Sequence, residues 1–372
     1  MKTTLILMVV TLWGCASTQD APKTKTAKTT RPAPAPAAKL EVREGRWEIR
    51  GTRLFVRDVG PRDAPVLIVV HGGPGGNHIS LRRLEALAPA HRVVLYDQRG
   101  TGESDRLDVS PARPKSLEKL TLEQNVEDLE ALRERLGREK VSLIGHSWGA
   151  ALVVFYAAAY PARVDRLIVY SGGPETLELA KRKKAAHRAK LTAEERAMFK
   201  QRLEAIQTAV KADAPQEKLD PLFVKLASVM FPSLYCVRPQ KAADSAAPST
   251  PKQGGGSGYG EIGRGGFWAN QVVGQYVLKF EYASIADGLR KVKAPALLTW
   301  GRCEPSPVER LTNLLDYLPD ARFVVFKKSG HNAMEEEQEL FFGMLRAFLA
   351  GKPIPTPSYR SRKELPVDLT GK

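Results

Sequence analysis

Gly145-His146-Ser147-Trp148-Gly149 sets a serine between two glycines, directly after the apolar run Val141-Ser142-Leu143-Ile144 and before a run of Ala, Leu, Val and aromatics ending at Pro161. Strand, tight turn and helix is the natural reading. A Gly-x-Ser-x-Gly pattern at such a turn is a nucleophile elbow: the serine takes a strained backbone conformation above a sheet, and the glycines let strand and helix approach closely. The chemistry is nucleophilic acyl transfer, with Ser147 as the attacking group. A serine hydroxyl is a weak nucleophile and needs a base. Of the six histidines, His331 in Ser329-Gly330-His331 follows the last strand-like run, from which a ring can reach the elbow. His146, beside the nucleophile, is expected to point into the fold. His71 opens a glycine loop and is expected to brace it, while His78, His91 and His187 fall in helical or connecting stretches where a solvated side chain is expected.

The elements that must position these groups alternate. Trp47 to Val59 alternates polar and apolar residues about Gly51-Thr52, which predicts a two-stranded hairpin. Val66–Val70 reads as a buried strand leading into His71-Gly72-Gly73-Pro74-Gly75-Gly76, a loop built for close backbone approach. A helical stretch to about Ala88, a strand Arg92–Tyr96 and the segment Asp97-Gln98-Arg99-Gly100-Thr101-Gly102-Glu103-Ser104 follow. That last segment reads as a structural turn. Thr121 is a helix N-cap candidate, with Leu122, Val126, Leu129, Leu132 and Leu136 at helical spacing before Gly137. Further strands are expected at Arg166–Tyr170, Ala296–Trp300 and Arg322–Phe326, with a closing helix from about Glu335 to Leu349. The alternation specifies an α/β fold, a mostly parallel central sheet covered by helices on both faces.

The 372-residue chain can make one large α/β domain with an insertion, or two ordinary domains. Residues 1–14 read as a signal peptide: Met1-Lys2, then a nearly all-apolar run from Leu5 to Trp13, too short to span a membrane as a helix. Leu12-Trp13-Gly14-Cys15 is similar to the lipobox of bacterial lipoproteins, with Cys15 the residue to be lipidated. The protein is then expected in the cell envelope, held to a membrane by its lipid and weakly preferring the outer membrane facing the periplasm, or secreted if Cys15 stays unmodified. Residues 15–44 are expected to be a disordered tether, since Thr, Ala, Pro and Lys from 16 to 39 bury too little to offset folding entropy. Residues 45–174 and 286–352 are expected to form the core. Residues 175–285 form a helical cap carrying a low-complexity loop at 241–266, and 353–372 a surface tail.

Cys236 and Cys303 are expected to be two buried thiols, with a disulfide as the alternative in an oxidising compartment. No Cys/His cluster has metal-ligand spacing, and no metal or cofactor is implied. The net charge of +16 is spread over the tether, Lys181-Arg182-Lys183-Lys184 and the C-terminal stretch. Without aromatic interleaving or a binding module it reads as a solvated basic surface, and no nucleic-acid partner is expected.

The glycine loop at 71–76, the segment 97–104 and the elbow at 145–149 together resemble the α/β-hydrolase fold, and within it the proline iminopeptidase-like group, over roughly residues 45–350. The resemblance implies a serine hydrolase working through an acyl-enzyme, with an acid in the loop after the penultimate strand. There Glu304, in Gly301-Arg302-Cys303-Glu304-Pro305, stands where the family usually has Asp. Glu175, just after the preceding strand, is the alternative acid, or else a solvated cap residue. Trp148 supplies one oxyanion N–H as the residue after the nucleophile, and the resemblance places the second donor at Gly73.

An aminopeptidase of this group would hold a substrate ammonium with cap glutamates. In Phe267-Trp268-Ala269-Asn270-Gln271 the expected acidic position is Ala269, leaving Glu261, Glu281 and Glu335 as substitutes. The expected partner is therefore a small peptide or ester: aminopeptidase first, then carboxylesterase or another acyl hydrolase of small esters or lactones. A non-catalytic envelope lipoprotein with a vestigial site is a further reading of a different class.

Overall fold

The computed structural model describes residues 40–109, 114–238, 266–366 and 369, so the expected signal peptide, Cys15, the tether to Lys39, Glu261 and all but the last residue of the low-complexity loop lie outside the described residues. The first elements are β1 (Val42–Ile49) and β2 (Thr52–Val59), an antiparallel hairpin. Its two-residue turn, Arg50 at φ 48 and Gly51 at φ 73, has the left-handed backbone whose twist matches a hairpin. β1 thus begins inside the stretch expected to be tether. β3 (Val66–Val70), β4 (Arg92–Tyr96), β5 (Val141–His146), β6 (Val164–Tyr170), β7 (Ala296–Gly301) and β8 (Ala321–Phe326) complete one eight-stranded sheet in the order β1-β2-β4-β3-β5-β6-β7-β8. β2 pairs antiparallel with β4, and β4, β3, β5, β6, β7 and β8 are mutually parallel.

The parallel strands are apolar on both faces because both faces are covered. Val66, Ile68 and Val70 of β3 join one core with helices Leu122–Arg135, Trp148–Ala159 and Ala283–Arg290. Leu67 and Val69, pointing the other way, join a second core with the 3₁₀ segment His78–Leu87 and helix Gln338–Leu349. Each such aliphatic side chain contributes roughly 1.5–3 kcal/mol by leaving water. Thr121 caps its helix by accepting from Gln124 N–H, and the chain turns out at Gly137, φ 68.

Between β6 and β7 the chain makes helices Leu177–Lys190, Ala193–Lys211, Gln216–Met230 and Phe267–Val273. Ala283–Arg290 already belongs to the sheet's cover, with Leu289 fully buried. The stretch read as a surface tail is more than that: Tyr359 exchanges two backbone hydrogen bonds, 2.8 and 2.9 Å, with Phe323 of edge strand β8, and Leu365 is buried. An open strand edge offers unpaired N–H and C=O groups, and this segment takes some of them.

Candidate active site

Because the strands are parallel, the loops after β3, β5, β6, β7 and β8 all emerge at the carboxyl edge of the sheet, the edge at which α/β sheets hold ligands. Those five loops carry the glycine loop, Ser147, Glu175, Glu304 and His331. Ser147 sits between β5 and the helix it starts, at φ 59 and ψ −117, a left-handed backbone uncommon for a non-glycine residue and costing of order 1–3 kcal/mol. The glycines beside it are required by packing. A Cβ on Gly145 would lie 2.1 Å from the Gly149 carbonyl oxygen, and one on Gly149 would lie 2.1 Å from that of Val70. Strand, serine and helix are thereby pressed together, and Ser147 is left half-buried on the wall of a cavity of about 570 Å³.

His331 lines the same cavity, and its Nδ1 is hydrogen-bonded to Glu304 Oε2 with both residues buried. The other oxygen, Oε1, accepts from Ser306 N–H at 3.1 Å. Burial works against the Glu304 charge, but the attraction and hydrogen bond of His331 and the Ser306 donor outweigh it and hold the carboxyl down at about 2. Glu175 takes no part in this pair. It is buried rather than solvated, accepts from Lys183, and has Arg310 Nε 3.1 Å from its Oε2. Burial opposes ionisation of Glu175, and the two cations still bring its carboxyl below the usual range.

Two of the remaining histidines brace the site. His146 Nε2 donates to the carbonyl of His331 at 3.0 Å, and burial pushes His146 down to about 3, so it is neutral with the proton on Nε2. His71 Nδ1 donates to Gly72 O at 2.9 Å and its Nε2 accepts from Gln98 N–H at 3.1 Å. The expectation of solvated rings at the other three positions is corrected. His78 is buried, with its backbone N–H and Nδ1 both on Asp97 Oδ1, His91 is half-buried, and His187 is half-buried on the cavity wall.

The two expected oxyanion donors belong to segments that meet at the serine. Trp148 opens the helix after it, and Gly72 is so close that a Cβ there would lie 2.9 Å from Ser147 Cβ. Gln98 joins these segments: its Nε2 donates to His71 O at 2.8 Å and its Oε1 accepts from Trp148 Nε1 at 3.0 Å. The segment at 97–104 thus contributes a side chain to the site as well as a turn. Gln98 was missed because a glutamine between Asp97 and Arg99 carries no spacing that marks it.

Cys236 and Cys303 are joined by a disulfide, Cα–Cα 5.1 Å, which corrects the expectation of two thiols. It ties the cap segment that follows helix Gln216–Met230 to the loop of Glu304, where Lys190 Nζ also donates to Cys303 O at 2.6 Å. The adjoining Leu234 carbonyl accepts from His331 N–H at 2.7 Å. Of the expected amine-binding residues, Glu281 is exposed and Glu335 accepts from Tyr235 OH at 2.8 Å, and neither lines the cavity. Ala269 is buried, while Asn270 lines the cavity and donates to Pro74 O at 2.9 Å.

A serine on a strained elbow, with a carboxylate-held histidine on the wall of the same cavity, is the equipment of a serine hydrolase, which is the class of this protein. The chain matches the family described as alpha/beta hydrolase fold over residues 65–338, and it belongs to that family. It is 30% identical over 318 residues to a proline iminopeptidase of Lactobacillus helveticus, a match covering 83% of this chain and 98% of the relative. The solved proline iminopeptidase of Mycobacterium smegmatis superposes with a TM-score of 0.55 at 25% identity, covering 84% of this chain and 98% of that one. An esterase from Exiguobacterium antarcticum superposes equally well, TM-score 0.55 over 81% of this chain and 96% of its own, but at 18% identity the likeness is one of fold alone.

Proposed function

We propose that this serine hydrolase releases N-terminal residues, proline first, from small peptides, with Ser147 as nucleophile, His331 as base and Glu304 as the acid. The observation that carries the catalytic part is the His331–Glu304 hydrogen bond at the wall of the cavity that holds Ser147. With Nδ1 on Glu304, Nε2 of His331 is the atom free to take the Ser147 proton as Oγ attacks the substrate carbonyl. The N–H groups of Trp148 and Gly73 receive the oxyanion, each worth about 3–4 kcal/mol in the transition state. The imidazolium then gives its proton to the departing amine, and a water activated by the same ring releases the acyl-enzyme. The proline preference is supported by the named relatives at 25–30% identity.

Cleavage of small esters or lactones is the second reading, favoured by one observation. Glu175 is the one carboxylate among the described residues lining the cavity, and Lys183 and Arg310 already occupy it. An unpaired ammonium taken from water costs several kcal/mol, so a substrate without one meets no such penalty. Turnover of proline-4-nitroanilide compared with its N-acetyl form, 4-nitrophenyl acetate and 4-nitrophenyl butyrate separates the readings. Loss of activity on acetylation supports the aminopeptidase, and turnover indifferent to the amine rejects it.

The leader supports a lipid-anchored envelope protein with Cys15 as the modified residue. No helix among the described residues is long and apolar enough to cross a membrane. Wild type should partition into detergent and Cys15→Ser should not; equal partitioning of the two removes the anchor.

A further inference from the structure

Lys181-Arg182-Lys183-Lys184 reads as a solvated run, yet the helix Leu177–Lys190 turns its members to different surroundings. Arg182 is paired with Glu309 at the surface, 2.7 Å, whereas Lys183 reaches Glu175 inside the cavity that holds Ser147 and His331. Arg310, buried, comes to the same carboxylate from the stretch after β7. Two cations thus face the one carboxylate that lines the cavity. Lys184 and Arg188, exposed members of the same helix, add two more at the cavity lining, and no second carboxylate of the described residues lines it. Glu304 is engaged by His331 and Ser306 and does not line the cavity, but its charge also acts on Lys183 and Arg310, so the positive excess at the lining is that of Lys184 and Arg188.

The remainder of the wall is of another kind. Leu191, Phe199, Phe223, Val224, Met230 and Phe231 give the cavity a long apolar side. A ligand that suits both is amphiphilic, an apolar stem with an anionic end. The cations are held close together by Glu175, so an entering anion finds their geometry already set, whereas an entering cation meets like charge.

We propose that Lys183 and Arg310, braced by Glu175, form a subsite for a carboxylate of the substrate. The proposal rests on the reading of Ser147 as nucleophile and holds whether the bond cleaved is amide or ester. The carboxylate can reach the subsite from either side of that bond: as the far end of a diacid acyl group, or as the C-terminus of the departing part of a short peptide. Enzymes that generate diacid half-esters or small peptides are the class of reaction that would supply such a substrate.

The test is binding to the full chain carrying Ser147→Ala, measured by calorimetry on two matched pairs. 4-Nitrophenyl monoadipate against 4-nitrophenyl hexanoate probes the acyl side, and prolyl-glycine against prolyl-glycinamide the departing side. In one pair the carboxylate-bearing member should bind at least tenfold tighter. Adding Lys183→Met should bring that preference below threefold, and Lys183→Arg should keep it. Equal or weaker binding of the carboxylate member in both pairs overturns the proposal, as does a preference that survives Lys183→Met, or binding of none of the four ligands. Fluorophosphonate labelling of Ser147 in the wild type, read separately, keeps the hydrolase reading distinct. Labelling without a carboxylate preference sinks the subsite alone, and a preference without labelling sinks the hydrolase.

Discussion

His187 Nε2 lies 3.0 Å from Ser306 Oγ, and the backbone N–H of that same serine donates to Glu304. A cap histidine is thereby connected, through one residue, to the carboxylate that holds His331. Burial pushes His187 down to about 4, so it is a neutral ring at physiological pH and adds no charge beside the pair. Its role is to fix the loop. Losing one such hydrogen bond costs about 1–1.5 kcal/mol, which corresponds to roughly tenfold in rate if it is realised only when the ring is aligned. His187→Ala and Ser306→Ala should each lower kcat by about that factor with KM nearly unchanged, and the double variant should be no worse than either single one. Additive losses would mean that the two residues act separately.

Glu304→Gln removes the charge that stabilises the imidazolium and presents the wrong hydrogen-bonding group to Nδ1, so kcat should fall by about 10⁴. Glu175→Gln should leave the proton transfer intact and act on KM, because its carboxylate faces Lys183 and Arg310 rather than His331. Steady-state kinetics on one ester substrate checks both. A larger kcat loss in Glu175→Gln would reassign the acid. Glu304 is held at about 2, so its contribution to stability is complete above the ordinary glutamate value of 4.5 and is lost as the pH falls through 2.

The runs Val66–Val70 and Arg92–Tyr96 are strands with the bounds their apolar residues mark, because a parallel strand covered on both faces must be continuously apolar. The elbow is equally local: serine, glycines and the flanking runs lie within one stretch of chain. Sequence pattern reaches no further than that. Lys183 reads as part of a charged helix face, and only the tertiary placement of that helix brings its amine to Glu175. The partnership of Cys236 with Cys303 spans 67 residues, and neither spacing nor composition encodes it. His78 reads as solvated for the same reason, since the carboxylate that holds it, Asp97, arrives from the next strand.

His146 provides a pH test of the core. In the unfolded chain a histidine titrates near 6.5, and burial behind Ser147 lowers it to about 3. The unfolded state therefore binds more protons between these values, and stability must fall as the pH drops from about 6.5 towards 3, with no further loss from this group below that. His146→Gln keeps a donor for the His331 carbonyl but cannot titrate. Its denaturation midpoint should fall less than that of the wild type between pH 7 and pH 4.5. Parallel pH slopes for the two proteins would show that His146 is not the source.

The Cys236–Cys303 disulfide closes a loop of 67 residues and ends one position before Glu304. Two effects follow from different links of the chain. In the unfolded state the cross-link restricts the closed segment, which the chain-entropy account values at about 4 kcal/mol for a loop of this length. In the folded state it pins the acid loop to the segment Leu234–Cys236, whose carbonyl at Leu234 also receives the His331 N–H. Cys236→Ser/Cys303→Ser should therefore unfold at a lower guanidinium concentration and turn over more slowly even where it is fully folded, with the loss in kcat rather than KM. Tris(2-carboxyethyl)phosphine should produce the same two changes in wild type and neither in the variant. An unchanged kcat in the folded double variant would confine the disulfide to stability and leave the positioning of Glu304 to its hydrogen bonds with His331 and Ser306.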